Sequence, residues 1–176
     1  MILVTGAAGF IGSKIAQKLN DLNYETLTID NLSTGFRNNI PRDTIFIEGN
    51  CGEKKTIDKL NSYPIKGIIH VAGQSSGEVS FEDPEYDLVS NTLSTLHLLN
   101  FALKMNIKNF VFASTMSVYG DKIDLPVSED MLTIPKSFYA CGKLASENYL
   151  RIYSELGINT TSLRLFNVYG PGQNMK

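Results

Sequence analysis

The stretch that decides the fold is TGAAGFIG, residues 5–12, which lies between a short apolar run and an amphipathic run. Its glycines, Gly6, Gly9 and Gly12, are spaced G-x-x-G-x-x-G. In a strand-to-helix turn the first glycine permits the tight turn, the second lets the backbone approach a pyrophosphate, and the third lets the helix pack close to the strand. The helix start also offers free N–H groups and a positive dipole end to phosphate. This context predicts a dinucleotide site, with a ligand-free glycine-rich turn as the alternative.

Outward from this loop, short apolar runs alternate with longer amphipathic stretches. Nearly continuous β-branched and apolar runs, typical of strands buried on both faces, predict six strands at 2–4, 26–29, 44–47, 67–71, 110–113 and 161–166. Periodicity predicts helices at 11–22, 54–61, 86–105 and 136–156, while Asn, Gly, Ser and Pro predict a long loop at 31–43. The alternation indicates the α/β class: a Rossmann-type doubly wound parallel sheet with helices on both faces.

Length and composition restrict the functional classes. The 176 residues fit one domain, and 43% hydrophobic content is ordinary for a soluble globular protein. A net charge of −2 and a pI of about 5.7 favour neither nucleic acid nor a membrane surface as a partner. The two cysteines, Cys51 and Cys141, have no metal-site spacing, so no metal is expected. No leader or membrane span is recognised, and we expect a cytoplasmic protein.

A carboxylate follows the second predicted strand. Asp30 and Asn31 stand where such folds place an acidic residue against the adenosine ribose. A carboxylate accepts hydrogen bonds from the ribose hydroxyls and repels a 2′-phosphate, so the sequence favours NAD over NADP. Arg37, nearby in the sequence, would soften that preference, and a plain strand-end turn is the alternative role for Asp30.

Two further segments carry candidate catalytic groups. Tyr139 and Lys143 form Y-x-x-x-K, which places both side chains on one face of a helix. An ammonium beside a tyrosine favours the phenolate form, so we expect a lowered pKa for Tyr139. Ser114 and Thr115 follow the fifth predicted strand, where open α/β sheets bind ligands. Taken singly, a charged helix surface and a Ser/Thr-rich turn are the ordinary explanations of these two segments.

Taken together, the motifs resemble those of the NAD-dependent epimerase/dehydratase family of extended short-chain dehydrogenase/reductases, typified by UDP-glucose 4-epimerase. The resemblance covers the whole chain in order, through TGAAGFIG at 5–12, DNL at 30–32, HVAG at 70–73, STMSVYG at 114–120, YACGK at 139–143 and LRLFNVYGPGQ at 163–173. Asn91 with Thr95 matches the family's N-x-x-G-T except that Ser94 replaces the glycine. At 50–51, Asn-Cys replaces a frequent aspartate and aliphatic residue.

The resemblance implies roles for individual residues. Tyr139 would be the catalytic base, Lys143 its partner and Thr115 the hydroxyl that assists proton transfer. Substrate contacts would come from Thr115, Tyr139 and Asn167. The cofactor, NAD, would be bound by Gly6, Gly9, Phe10, Ile11, Gly12, Asp30, Asn31, Asn50, Cys51, Ala72, Asn91, Ser114, Tyr139, Lys143 and Phe166.

The resemblance also implies a reaction. Tyr139 would take a proton from a sugar hydroxyl while hydride passes from the same carbon to NAD, and an epimerase then returns the hydride to the other face. A 4,6-dehydratase of this family carries Asp-Glu after the threonine, and a decarboxylase carries Glu at the second position, where this chain has Met116 and Ser117. We therefore expect an epimerase, with a C4 reductase or dehydrogenase as the alternative.

Two expectations concern the whole protein. Relatives are longer, with a C-terminal portion that closes over the nucleotide sugar, most simply a UDP-sugar. Residues 1–176 are thus expected to be the NAD-binding domain, with that portion absent, and to bind NAD without efficient turnover. A sensor or scaffold that binds NAD without catalysis is the alternative class. The stretches 86–105 and 136–156 match helices that pair in family dimers, so a homodimer is expected, with a monomer as the alternative.

Overall fold

Six parallel strands form the centre of the computed structural model, which describes residues 1–121 and 126–173. Their order across the sheet is β3-β2-β1-β4-β5-β6. The strands β2 and β3 are added on one side of β1 and the strands β4 to β6 on the other, so the strand order reverses between β1 and β4. The strands are β1 (Ile2–Thr5), β2 (Thr26–Asp30), β3 (Ile45–Glu48), β4 (Gly67–His70), β5 (Asn109–Thr115) and β6 (Asn159–Leu165). The predicted fold class is confirmed, and each predicted strand overlaps an observed one. The predicted domain limit at 176 lies outside the described residues.

Helices connect the strands. They are α1 (Phe10–Asp21), α2 (Lys54–Asp58), α3 (Gly77–Glu82), α4 (Pro84–Asp87), α5 (Ser94–Lys104) and α6 (Phe138–Glu155). Because β-α-β crossovers are right-handed, α1 lies on one face of the sheet and α5 and α6 lie on the other. Short 3₁₀ segments occur at Arg37–Asn39, Lys59–Ser62 and Met116–Tyr119, and the rest of the predicted 31–43 loop is irregular.

The predicted helix at 86–105 begins earlier and is not uniformly α-helical. A π-helical segment, Leu88–Leu93, joins α4 to α5. The hydroxyls of Ser94 and Thr95 donate to the carbonyls of Ser90 and Asn91, both at 2.6 Å. These side-chain bonds satisfy carbonyls at the place where the winding changes. The segment therefore delivers several polar side chains to the carboxyl end of the sheet.

The core lies between the sheet and its helices. Phe110, Leu3, Leu27, Leu99 and Leu150 are fully or almost fully buried and come from three strands and two helices. Each such side chain contributes roughly 1.5–3 kcal/mol through burial. The core therefore anchors the strands whose carboxyl ends form the site.

The sixth strand departs from the prediction that the strands are buried on both faces. Most residues of β6 are exposed, including Leu163, whereas all five residues of β2 are buried. The reason is position: among the described residues, β6 is an edge strand with a neighbouring strand on one side only, and α6 is the α-helix with which it makes extensive contact. The apolar run predicts a strand, but burial depends on the elements that pack against it.

Candidate active site

A cleft of about 490 Å³ opens at the carboxyl ends of β1 and β4, where the strand order reverses. Open α/β sheets bind ligands at this switch point. Of the residues predicted to bind cofactor, ten line the cleft: Gly6, Gly9, Phe10, Ile11, Gly12, Asp30, Asn31, Asn50, Cys51 and Ala72. The structure thus brings together two-thirds of the predicted cofactor residues, and these ten lie between positions 6 and 72 of the sequence.

The glycine loop is shaped by close backbone approaches. Gly6 has a φ of +71°, and a Cβ on it would meet the backbone nitrogen of Ala72 at 2.8 Å. A Cβ on Gly12 would lie 2.1 Å from the carbonyl oxygen of Gly6. A side chain at Gly6 would therefore clash with the turn after β4, and a side chain at Gly12 would push the helix away from the loop. As placed, the loop brings the N-terminus of α1 to the cleft, as phosphate binding requires.

Asp30 acts both as a turn residue and as part of the cleft wall. Its Oδ2 accepts from the backbone nitrogen of Ala8 at 2.9 Å, and its Oδ1 accepts from that of Leu32 at 2.8 Å. Each carboxylate oxygen keeps a lone pair for a ribose hydroxyl. Arg37 is bonded to Glu48 at 3.0 Å and stacks on the Phe46 ring, and it does not line the cleft. The arrangement therefore favours a dinucleotide without a 2′-phosphate.

Next to Asp30, the cleft wall contains Asn50 and Cys51, two of the residues that depart from the family pattern. The Asn50 side-chain oxygen accepts from the Gly52 nitrogen at 2.8 Å, which fixes the turn after β3. Burial raises the pKa of the Cys51 thiol to about 12, so Cys51 is a small apolar wall residue and not a nucleophile.

Three predicted catalytic side chains converge at the end of β5. Lys143 is buried, and its Nζ donates to the Ala113 carbonyl at 3.0 Å. The same Nζ lies 5.9 Å from the centre of the Tyr139 ring. Thr115 is buried, and its hydroxyl accepts from the Ser117 nitrogen at 3.1 Å. A hydrogen bond between the Thr115 and Tyr139 side chains favours a lower pKa for the phenol. One hydroxyl, one phenol and one amine thus meet beside the cleft.

The expected lowering of the Tyr139 pKa is wrong for this structure. Burial raises the pKa of Tyr139, and the hydroxyl of Thr115 opposes this rise while the negative charge of Asp87 adds to it. Lys143 does not reverse the shift because it is itself desolvated: burial lowers its pKa to about 8, against an opposing effect of Asp87. The lysine is therefore the group poised to titrate near neutral pH.

Ser114 points away from the cleft, into a group of side chains that we term the Arg164 cluster (Ser114, Tyr119, Glu147 and Arg164). The Ser114 hydroxyl donates to Glu147 at 2.5 Å, and Arg164 donates to both oxygens of Glu147 at 2.8–3.1 Å. Arg164 also donates to the Tyr119 hydroxyl at 2.9 Å and to the Glu129 carbonyl at 3.0 Å. This mostly buried cluster ties β5, β6 and α6 together behind Thr115.

Sequence reasoning missed a second polar group, which lies beneath the cleft. Asp87 is 1% exposed, and its Oδ1 accepts from Asn91 at 3.0 Å and from Gln74 at 3.3 Å. Burial raises the pKa of Asp87, with Asn91 and Lys143 opposing the shift. Two signals were available: an acid in an apolar helix, and its i, i+4 spacing to Asn91.

His70 joins β1, β4 and the start of α5 under the cleft through hydrogen bonds to Thr5 and Thr95. Thr5 accepts from the nitrogens of Val71 and Ala72, both at 3.1 Å, so its own hydrogen is donated to His70 Nδ1 at 2.7 Å. Nε2 then carries the proton and donates to Thr95 at 3.1 Å. Burial, with a smaller effect of Lys143, lowers the pKa of His70 to about 3.

This low pKa predicts an acid-sensitive fold. The ordinary histidine pKa is 6.5. Below pH 6.5 the His70 imidazole is protonated in the unfolded chain, whereas in the folded chain it stays neutral until the pH falls to about 3. The contribution of His70 to stability is therefore complete above pH 6.5 and is lost as the pH falls, by up to about 1.4 kcal/mol per pH unit. Urea unfolding of wild type and His70→Gln between pH 4 and 7 should show a shallower pH slope in the variant. Equal slopes would contradict the assignment.

Two residues predicted to bind cofactor and substrate, Phe166 and Asn167, directly follow β6. Phe166 and Asn167 are exposed, and within residues 1–121 and 126–173 neither lines the cleft. Their roles in binding cofactor and substrate remain predictions. Across the same residues, no cluster of three or more His, Cys, Asp or Glu side chains could hold a metal ion. Also within them, each helix is too short or too polar to cross a membrane.

The fold and the site together define a class: a Rossmann-type dinucleotide-binding domain in which a Thr, a Tyr and a Lys side chain converge beside the switch-point cleft. The profile of the NAD-dependent epimerase/dehydratase family matches residues 2–176. The chain belongs to this family, as the resemblance of its motifs indicates, and the family description agrees with the predicted cofactor, NAD.

Individual relatives agree with this assignment. A Methanocaldococcus jannaschii protein provisionally named UDP-glucose 4-epimerase is 41% identical over 100% of this chain and 58% of its own length. A Thermus thermophilus UDP-glucose 4-epimerase solved with NAD superposes with a TM-score of 0.95 at 37% identity, and a Thermotoga maritima UDP-glucose 4-epimerase solved with UDP-glucose superposes with 0.95 at 34%. Each alignment covers 98% of this chain and 57% of the solved chain. The chain thus spans little more than half the length of these relatives.

Proposed function

We propose that residues 1–176 are the domain of a nucleotide-sugar epimerase, of the UDP-glucose 4-epimerase type, that binds NAD and carries the catalytic residues. The observation that carries the proposal is the convergence of Thr115, Tyr139 and Lys143 beside the switch-point cleft. The substrate-binding portion of the enzyme lies outside this domain in the proposal. The likeness to epimerases solved with NAD and with UDP-glucose supports both ligand classes.

The cleft residues fit the dinucleotide. The glycine loop admits backbone close to a pyrophosphate, and Asp30 retains acceptor capacity for ribose hydroxyls. The Asn91 Oδ1 is fully buried and has no hydrogen-bond partner among the described residues, so it is an acceptor that a ligand donor can satisfy. When bound, NAD supplies the hydride acceptor and donor for one sugar carbon.

The protein's own part in the reaction is proton handling. Tyr139 would move a proton to and from the sugar hydroxyl, and the hydroxyl of Thr115 would form a hydrogen bond with the same sugar oxygen. Lys143, held by the Ala113 carbonyl, would orient ribose hydroxyls and add positive charge beside the phenol. Met116 and Ser117 offer no carboxylic acid for elimination of water, which favours epimerisation over dehydration.

Cofactor preference is the first measurable consequence. We expect NADH to bind at least about tenfold more tightly than NADPH, because Asp30 repels a 2′-phosphate while Arg37 is paired with Glu48. Calorimetric titration of the purified chain with both nucleotides measures this ratio. Incubation with NAD and a panel of UDP-, GDP-, CDP- and dTDP-sugars, followed by NMR, then tests the reaction. Inversion of one sugar carbon without net NADH supports an epimerase, net NADH indicates a dehydrogenase, and preference for NADPH would contradict the assignment.

Homodimerisation through α5 and α6 is part of the same proposal. Leu88 and Leu103 on the helical stretch of residues 84–104, and Ile152 on α6, are large apolar side chains with 40–57% exposure, which supports a partner surface there. Sedimentation of the same preparation reports its mass. A cytoplasmic location is also proposed, and it is supported by two free cysteines, of which Cys141 is exposed.

A further inference from the structure

We propose that Asp87 is a positioning residue for the cofactor side of this site. It fixes the amide of Asn91 so that the amide oxygen faces Gly73 and Lys143, and it places a buried negative charge against the first turns of α6. The inference rests on the proposed function in one respect, namely that the ligand is NAD.

The first step concerns the orientation of the Asn91 amide. Asn91 Nδ2 donates to Asp87 Oδ1 at 3.0 Å and to the Gln74 carbonyl at 3.1 Å. The Gln74 carbonyl can accept a hydrogen bond but cannot donate one, and the same holds for the ionised Asp87 carboxylate. The amide nitrogen of Asn91 must therefore face these two groups, and its oxygen must face the opposite way. Gln74 Nε2 donates to the same Asp87 oxygen at 3.3 Å and thereby holds the carboxylate in place.

The second step concerns where the oxygen is directed. Asn91 Oδ1 is 2.3 Å from the position that a Cβ on Gly73 would take, and Lys143 Nζ is 3.4 Å from that same position. Gly73 lines the cleft, whereas Asn91 is fully buried, and within residues 1–121 and 126–173 its Oδ1 has no hydrogen-bond partner. A buried acceptor without a donor is costly in free energy. A ribose hydroxyl entering beside Gly73 is a donor of the right chemistry to relieve it.

The third step concerns charge. A Cβ on Gly142 would lie 3.4 Å from Asp87 Oδ2, so the carboxylate packs against α6 one residue before Lys143. Of the other groups facing this lysine, His70 on β4 is neutral, Tyr139 on α6 is protonated at neutral pH, and the Arg164 cluster is internally paired. Among the described residues, Asp87 is therefore the carboxylate that favours the charged form of the desolvated ammonium.

The test compares Asp87→Asn with Glu85→Gln, an exposed carboxylate on the same helix. Asp87→Asn keeps a similar size but loses the charge and presents a donor as well as an acceptor to Asn91. We expect NADH affinity to fall about five- to tenfold, with no change in Glu85→Gln. In the cofactor-free protein, NMR titration of the lysine side chains should show a lower pKa for Lys143 in Asp87→Asn, with its resonance identified from Lys143→Arg. Thermal unfolding confirms that each variant is folded.

The outcomes separate this inference from the proposed function. Wild-type affinity and an unchanged Lys143 pKa in folded Asp87→Asn would overturn the positioning role and leave NAD binding intact. Equal losses in Asp87→Asn and Glu85→Gln would overturn it as well, since they would indicate a general charge effect. A wild-type chain that fails to bind NADH would overturn both proposals. An affinity loss joined to a lowered Lys143 pKa supports the inference, because a merely structural defect would not move that pKa in this direction.

Discussion

The Gly12→Ala variant is expected to lose at least about a hundredfold in NADH affinity, equivalent to roughly 2.7 kcal/mol. The added Cβ would lie 2.1 Å from the Gly6 carbonyl oxygen and 2.6 Å from the Gly6 carbonyl carbon. Both are backbone atoms, so no side chain can rotate to make room. Either the N-terminus of α1 moves outward or the loop moves into the phosphate site. Fluorescence titration with NADH measures the loss.

Gly67→Ala is the matched control for this substitution. Gly67 is buried in β4, yet a Cβ there would meet its nearest neighbour, a terminal carbon of Ile2, at 3.4 Å. This is ordinary van der Waals contact, and we expect affinity close to that of wild type. If Gly12→Ala bound NADH within about threefold of wild type, the close approach between loop and helix would not be required for binding.

The Tyr139→Phe variant is expected to reduce sugar epimerisation by about 10²- to 10⁴-fold, the range over which a positioned acid or base contributes. The variant removes one oxygen and leaves the ring beside Lys143 and Thr115, so NADH affinity should stay within about threefold of wild type. Proton NMR of UDP-sugar interconversion at high protein concentration makes even a slow wild-type rate measurable. The separation of rate from affinity is what identifies a proton-transfer group.

Tyr149→Phe provides the control because it deletes a hydroxyl from the same helix, away from the cleft. Tyr149 packs partly buried against the hydrophobic core. We expect wild-type turnover in this variant. Retention of more than a tenth of the wild-type rate in Tyr139→Phe would remove Tyr139 from the proton-transfer role and would favour a different base.

Local features of this chain could be predicted from its sequence because their physics is local. Three such features depend only on residues that are close in the sequence. The apolar runs predict the strands, the glycine spacing at 5–12 predicts the loop of the cleft, and the Y-x-x-x-K spacing predicts the pair Tyr139 and Lys143. Ser137 caps α6 by accepting from the Ala140 nitrogen at 3.1 Å, which explains why this helix begins two residues later than its periodicity predicts.

Features that depend on packing between distant segments could not be predicted. The Arg164 cluster joins residues 114, 119, 147 and 164, and no spacing rule connects them. The raised pKa of Tyr139 results from burial and from Asp87, neither of which the motif reveals. The exposure of β6 depends on the elements that cover the sheet, which an apolar run does not specify.

The π-helical segment Leu88–Leu93 also affects how this region can change in length. A π turn holds about one residue more than an α turn, so deletion of a single residue here would restore uniform winding. Five residues in α winding turn about the helix axis nearly as far as six in the wider π winding, so the residues on either side of the deletion would keep nearly the same relative direction. A deletion between Asp87 and Asn91 would still shorten the i, i+4 spacing that joins this pair. The π turn is therefore a place where evolution can add or remove one residue while the helices at its two ends stay in position.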